Sequence, residues 1–390
     1  MKTADWIVVG GGFAGAALGY ELARAGFSVV LLEQQAVPQN ATRYSYGGIA
    51  YWSATTDLTR LICQEAMELY RNLSAELEAD IQFRELDLVL TIDSDADPAA
   101  LAAAYAGCAI PPVLISAEAA CELEPLLDPG AIAAALHGRH GHVEPELITK
   151  AYVQGMLRLG GAIDTAEVTG FIKTGDRVTG VVTSEGSYAA ANVVVSAGGL
   201  SRSLLQAVNI PVRCCFTQAE LVETPPLEIQ LRTIVMAAEL KRFQLEAIAG
   251  QPDIDSLWDT PGHEIAPPIL DAGAIQFCDG RVRMGQISRV LTDPYAIADA
   301  AQSELEIRTQ VGRILPKLQH VPGAWGHCLV AFTGDHLPLI GALPSVEGVH
   351  IFSGFSSPFA VLPPLARRYA RFLAGQADDI MAQFSPTRFA

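Results

Sequence analysis

Residues 6–33 read WIVVGGGFAGAALGYELARAGFSVVLLE, and this stretch decides the fold. Trp6 to Val9 is an apolar run short enough for a buried strand. Gly10, Gly12 and Gly15 fit GxGxxG, with Gly11, Phe13 and Ala14 between them. An alanine-rich helical stretch runs to Ala25, and Gly26 is placed to end it. Phe27 to Leu32 is a second apolar strand that closes on Glu33. Glycines there permit a tight turn and a close backbone approach to a pyrophosphate, which the positive end of the helix attracts. Glu33, 18 residues after Gly15, can accept hydrogen bonds from both ribose hydroxyls. Strand, turn, helix, strand and acid agree on a dinucleotide with an unphosphorylated ribose, NAD or FAD.

The remaining chain fits a discontinuous layout. Asp57 to Ala79 carries apolar residues at helical spacing, and Leu147 to Leu159 is helical again. Short strands are expected at Ala162–Val168, Arg177–Ser184 and Asn192–Ser196. From Pro211 to about Asp293 the pattern reads as strands with proline-rich turns. A long helical stretch covers roughly Ala296 to Ile314, and His350 to Ser353 is a strand. Pro363 and Pro364 are expected in the first turn of the final helix, where a missing N–H costs little. There are no repeats and no low-complexity linkers. The expected fold class is α/β: a Rossmann-like dinucleotide-binding domain assembled from separate segments, with an inserted α+β substrate domain on a mainly antiparallel sheet. The expected limits are residues 1–80, 145–212 and 325–390 for the first, and 81–144 and 213–324 for the second.

Composition narrows the function classes. Of 390 residues, 50% are hydrophobic and 18% charged, which excludes extensive disorder. Forty-three acidic residues against 26 basic ones give a net charge of −17, unlike a nucleic-acid-binding surface. No apolar run reaches the roughly 18 residues of a membrane helix. Residues 6–20 follow Asp5 and carry five glycines, unlike a secretory leader, so a cytoplasmic protein is expected. Seven scattered cysteines without CxxC do not make a disulfide framework or a zinc site. His137, His140 and His142 cluster, but no cysteine or acid joins them at metal-ligand spacing, and no metal is expected. Neither GxSxG nor a P-loop is present.

An ordered set of segments resembles the D-amino-acid oxidase family of FAD-dependent oxidoreductases, which contains glycine oxidase and sarcosine oxidase. After residues 6–33 come ATRYSYGGI at 41–49, GHVEPELI at 141–148, AEVTGFIKTGDRVTGVVTSEG at 166–186 and NVVVSAGG at 192–199. TGDHLPLIG at 333–341 and SGF at 353–355 complete the series over nearly the whole chain. The resemblance implies FAD held by Gly10, Gly12, Phe13, Ala14 and Gly15 at the pyrophosphate and by Glu33 and Gln34 at the adenosine ribose. It places Thr42, Arg43, Gly47, Gly48 and Ile49 along the flavin, Val168 at the adenine, and Ala197 and Gly198 at the middle of the cofactor. Gly354, Phe355, Ser356 and Ser357 would meet the flavin pyrimidine edge, where a helix N-terminus stabilises reduced-flavin charge; Ser356 and Ser357 serve equally as N-caps.

Departures from the family pattern bear on the substrate. The arginine or lysine that clamps a substrate carboxylate in relatives falls here at Val330, Val361 and about Tyr51, all uncharged. Pocket candidates are therefore Tyr46, Tyr51, Trp52 and Phe355 as aromatic walls, with Arg289 as a replacement anion binder and His327 beside the TGDHLPLIG segment. Cys328 falls where sarcosine oxidase-like members attach flavin through a thioether; the alternative is a buried apolar cysteine. The resemblance implies oxidation of an amine or amino-acid-like small molecule by hydride transfer to flavin N5, followed by imine hydrolysis. Oxygen, a quinone or a protein would then accept the electrons. Related folds oxidise hydroxy acids or alcohols, and a flavin-bearing electron-transfer subunit without its own turnover is the remaining alternative.

Overall fold

A computed structural model describes residues 3–389. The opening apolar run forms the strand Thr3–Val9, buried from Trp6 onward. It lies between Gly186–Val195 and Val29–Glu33, parallel to both, inside an eight-stranded sheet. Ala162–Thr165 and Val349–Ser353 continue the parallel pairing on either side, and Leu339–Ala342 closes one edge antiparallel. A parallel sheet must be covered on both faces. Helices Phe13–Arg24, Asp57–Glu76, Pro145–Arg158 and Pro358–Leu373 cover one face with their apolar stripes. The ribbon of Val168–Thr174 and Arg177–Thr183 packs with Leu205, Ile210 and Leu343 on the other.

The second sheet has nine strands in the order Ala324–Phe332, Cys215–Glu223, Val282–Leu291, Glu264–Gln276, Ile234–Ala237, Arg84–Asp93, Ile132–His142, Gly48–Ile49, with Val113–Ser116 also on Ile132–His142. Every pairing is antiparallel except Ile234–Ala237 with Arg84–Asp93. The expected fold class, a parallel α/β sheet joined to a mainly antiparallel one, is what the chain adopts. No helix among the described residues is long and apolar enough to cross a membrane.

Three local expectations are corrected. Gly48–Ile49 and residues 325–332 fall within the segments expected for the cofactor domain, yet both pair in the antiparallel sheet. Gly48 and Ile49 bond to His142 and Gly141, and Ala324–Phe332 matches Cys215–Glu223 along its whole length. The chain therefore changes sheets after Phe332, not before Trp325. Second, the stretch read as strands contains the helix Lys241–Ala249, braced by an Arg242–Glu246 pair one turn apart. Third, the final helix begins at Pro358, so Pro363 and Pro364 lie in its interior. Proline at 363 leaves the carbonyl of Phe359 without its helical donor. The buried hydroxyl of Tyr70 donates to that carbonyl instead, at 2.8 Å.

Candidate active site

The glycine turn is built by close approach. A Cβ on Gly15 would lie 1.9 Å from the carbonyl oxygen of Gly10, so the helix can seat on the turn only with glycine there. Gly10 itself has φ +107°, in the left-handed region. Helix Phe13–Arg24 has no capping side chain of its own; Thr42 Oγ1 accepts the N–H of Phe13 at 2.9 Å. Glu33 ends its strand with both carboxylate oxygens turned to backbone, Oε2 accepting from Gly11 N–H at 2.7 Å and Oε1 from Gln35 N–H at 3.1 Å. Lone pairs remain on both oxygens for further donors.

From this turn a cavity of about 700 Å³ runs between the two sheets. Its walls include Gly10, Gly12, Phe13, Ala14, Glu33, Gln34, Thr42 and Gly48. Val168, Ala197, Gly198 and the Gly354–Ser357 turn follow along it. The hydroxyls of Ser196 and Ser356 are buried on this wall without a partner. Buried polar atoms without partners cost free energy unless a ligand supplies one. A long cavity with a glycine turn at one end, a strand-end acid beside it and unpartnered hydroxyls along its middle fits an elongated dinucleotide such as FAD.

Beyond the turn the cavity opens onto the antiparallel sheet. Trp52, Leu90, Tyr105, Ile234 and Ile275 form apolar walls. Polar side chains stand among them, Tyr46, Arg242 and Asp271 included. Tyr46 is partly buried, its hydroxyl buried and unpartnered, and burial pushes its ionisation well above the usual phenol range. Arg242 donates from Nε to Glu246 Oε1 at 2.9 Å and from Nη2 to the carbonyl of Ser356 at 2.8 Å. It thereby ties helix Lys241–Ala249 to the turn at Gly354–Ser357. Asp271 has an unpartnered buried Oδ1, and burial pushes its carboxyl up to about 6 against the pull of Lys241 and Arg242. Cys328 also lines the cavity, and burial pushes its thiol up to about 12.

The structure brings Tyr46, Trp52, Cys328 and Phe355 onto the cavity, and it places other expected residues elsewhere. Tyr51 turns outward and donates to Glu85 at 3.0 Å, because the short helical turn Tyr51–Ser53 directs Trp52 and Ser53, not Tyr51, toward the cavity. Arg289 is consumed by the buried Glu220 at 2.6 Å and is not an anion binder for this cavity. His327 stacks on Trp325 and lies within 3.4 Å of Gln218, away from the cavity. Arg43 makes a two-pronged pair with Glu223, at 2.9 and 2.6 Å, instead of facing a cofactor. Gly15, Gly47 and Ile49 support the walls from behind: a Cβ on Gly47 would sit 2.1 Å from the carbonyl of Val143, and Ile49 is fully buried. Of the three histidines at 137–142, His140 alone lines the cavity, its Nδ1 accepting from Trp52 Nε1 at 3.0 Å.

Arg242 and Asp271 are the polar groups that the sequence pattern did not single out. The helix carrying Arg242 had a legible signal, an arginine four residues before a glutamate with Gly250 as a stop. Asp271 had none, since its direction depends on strand irregularity.

A nucleotide-binding parallel sheet, opening through a helix-start turn onto a largely apolar chamber with a few polar groups, defines a flavin-dependent oxidoreductase. Residues 5–371 match the family model described as FAD dependent oxidoreductase. The chain belongs to that family, the D-amino-acid oxidase family, and its cofactor is FAD. It is 24% identical to the glycine oxidase of Pseudomonas putida over 97% of both chains. The crystal structure of glycine oxidase from Geobacillus kaustophilus superposes with a TM-score of 0.78 at 20% identity, covering 100% of this chain and 99% of that one. That of L-proline dehydrogenase from P. horikoshii gives 0.75 at 20% identity, covering 100% and 98%. At such identities the structures speak for the fold.

Proposed function

We propose that this enzyme oxidises the C–N bond of an amine or amino-acid-like substrate, bound between Arg242 and Asp271 in the chamber beyond the Gly354–Ser357 turn. The observation that carries this reading is Arg242. It is the guanidinium lining an otherwise largely apolar chamber, Nε and Nη2 are spent inside the protein, and no partner takes Nη1 among the described residues. A guanidinium N–H held in such surroundings is a natural donor to a carboxylate. Relatives named for glycine and L-proline oxidation support an amino-acid-like substrate. In this reading Arg242 takes over from the family positions at Val330, Val361 and Tyr51.

FAD held along the cavity supplies the hydride acceptor. The chain's own residues do the rest: Gly10, Gly12 and the start of helix Phe13–Arg24 hold the pyrophosphate, Glu33 the ribose, and the Gly354–Ser357 turn the flavin edge. Arg242 orients the substrate and fixes that turn through the Ser356 carbonyl. Trp52, Leu90, Ile234 and Ile275 exclude water, which strengthens each polar contact inside. Residues 1–80, 145–212 and 325–390 form the cofactor unit in this proposal and the rest the substrate unit, with Gly48–Ile49 and Ala324–Phe332 crossing into the antiparallel sheet. Seven free thiols support a cytoplasmic location.

The test is the visible spectrum of the purified protein under anaerobic conditions against amines, amino acids and hydroxy acids. Bleaching of the oxidised flavin band by glycine, L-proline or a related amine is expected, and air readmission then shows whether oxygen is the acceptor. Bleaching by hydroxy acids alone overturns the proposal.

A further inference from the structure

An amine arrives from neutral water as an ammonium ion, with no lone pair to form a C=N bond. Something must take a proton before the adjacent C–H can leave as hydride. The cavity wall carries one group shaped for this. Strand Glu264–Gln276 pairs with Val282–Leu291, and its register shifts between Leu270, opposite Ile287, and Gly273, opposite Gly285. Asp271 and Ala272 therefore stand against the single residue Gln286. A bulge of this kind re-aims a side chain. Here it sits where Asp271 meets the chamber that Arg242 also lines. Among the described residues, three carboxylate oxygens are buried without a partner, on Glu144, Glu246 and Asp271. Only that of Asp271 lines the cavity.

We propose that Asp271 receives the substrate's ammonium group and takes one of its protons, acting as the proton acceptor that readies the amine for oxidation. The N–H bond breaks, an O–H bond forms on Oδ1, and the nitrogen keeps the electron pair; nothing is oxidised in this step. The assignment rests on the amine-oxidation reading above and adds to it a chemical role for Asp271. It also explains why a carboxylate is tolerated in an apolar wall. A buried carboxylate oxygen without a hydrogen-bond partner is costly, and an incoming ammonium supplies the missing donor. The groups facing Asp271 are Lys241 and Arg242 from the neighbouring helix, Glu239 just before it, and the phenols of Tyr46 and Tyr105. The two cations pull its carboxyl down, Glu239 pushes it up, and burial outweighs them all, leaving it near 6. A proton acceptor works best near the operating pH.

The experiment uses the FAD-loaded enzyme with two readouts. One is the pH dependence of anaerobic flavin reduction by whichever of glycine, sarcosine or L-proline bleaches it. The other is the binding of 2-aminoisobutyrate, followed by its perturbation of the flavin spectrum. This amino acid has no hydrogen on Cα and cannot be oxidised there, so binding is read without turnover. Wild type should gain both affinity and reduction rate as pH rises through a limb near 6. Asp271→Asn should flatten that limb and weaken 2-aminoisobutyrate on its alkaline side by at least about tenfold, the scale of a lost charge-assisted hydrogen bond. A merely structural role would lower affinity equally at every pH. Asp271→Glu should retain the limb at a displaced pH, and it decides the matter if Asp271→Asn does not hold FAD. A limb that survives in Asp271→Asn, or stays unmoved in Asp271→Glu, overturns the assignment while leaving amine oxidation standing. A limb absent from both wild-type readouts does the same. A wild-type flavin that no amine reduces overturns both.

Discussion

Replacing Tyr70 by phenylalanine removes one oxygen from the core and should be felt at the far side of the cofactor layer. Tyr70 lies in helix Asp57–Glu76 and is 1% exposed, stacked on Phe83 at 5.6 Å with an interplanar angle of 14°. Phenylalanine keeps that stacking and loses only the 2.8 Å hydrogen bond to the carbonyl of Phe359. In an unbroken helix the N–H of residue 363 would satisfy this carbonyl, but Pro363 has none. Tyr70→Phe thus strands a buried acceptor, at a cost of roughly 1–3 kcal/mol. Over 390 residues the unfolding entropy is about 0.8 kcal/mol/K, so the melting temperature should fall by about 1–4 °C. The decisive assay is a double-mutant cycle read by denaturant unfolding of the FAD-loaded protein. Pro363→Ala restores an N–H that can reach the Phe359 carbonyl. On that background Tyr70→Phe should lose most of its effect, a coupling of about 1 kcal/mol or more. Equal costs on both backgrounds, or a cost below about 0.5 kcal/mol on the natural one, would refute the reasoning.

Gly15→Ala should yield a folded but colourless protein, since its Cβ would meet the Gly10 carbonyl at 1.9 Å and push helix from turn; FAD retained at the wild-type ratio would contradict this. Acid precipitation should release all FAD into the supernatant, because burial keeps Cys328 a neutral thiol with its ionisation near 12. Yellow colour remaining with wild-type protein but lost in Cys328→Ala would show a thioether instead. His140 should make the fold acid-sensitive. Burial holds its imidazole near 4, below the ordinary value of about 6.5. The unfolded chain therefore takes the proton first, and the stability is complete above the ordinary value and lost as pH falls toward 4. Relative to His140→Gln, wild type should lose about 2 kcal/mol between pH 7 and about pH 5, measured by denaturant unfolding. Asp271 works in the opposite direction: with its carboxyl raised to about 6, stability returns as pH falls through that value, so the comparison must be made within one background.

Legibility followed the range of the interactions. The segment 6–33 was readable because each of its constraints is local: a carbonyl five residues from Gly15, a strand end at Glu33, a left-handed Gly26 after the helix. Strand pairing is not local, and there the sequence pattern stops short. Arg289 and His327 are polar residues in strands rich in apolar ones, as a pocket residue should be. Register puts Arg289 opposite Gln218 and His327 opposite Glu220, however, and the buried Glu220 takes Arg289. Arg289 lies within 3.5 Å of Ser303 in helix Ala300–Ile314, toward the helix-covered face of the sheet. A strand's side chains alternate in direction, so their use is decided by parity and partner, neither of which is written in the strand itself. Asp271 is the converse case. Nothing around DAGA marks it, and its direction comes from one extra residue in the ladder. Arg242 combines the two, a helix with readable local signals whose target, the Ser356 carbonyl, lies 114 residues away. The missing cations at Val330, Val361 and Tyr51 read as a lost anion site only while position along the chain stands in for position in the cavity. A carboxylate needs a guanidinium at one point in space, and a helix on the antiparallel sheet's flank can present one there as well as a strand can.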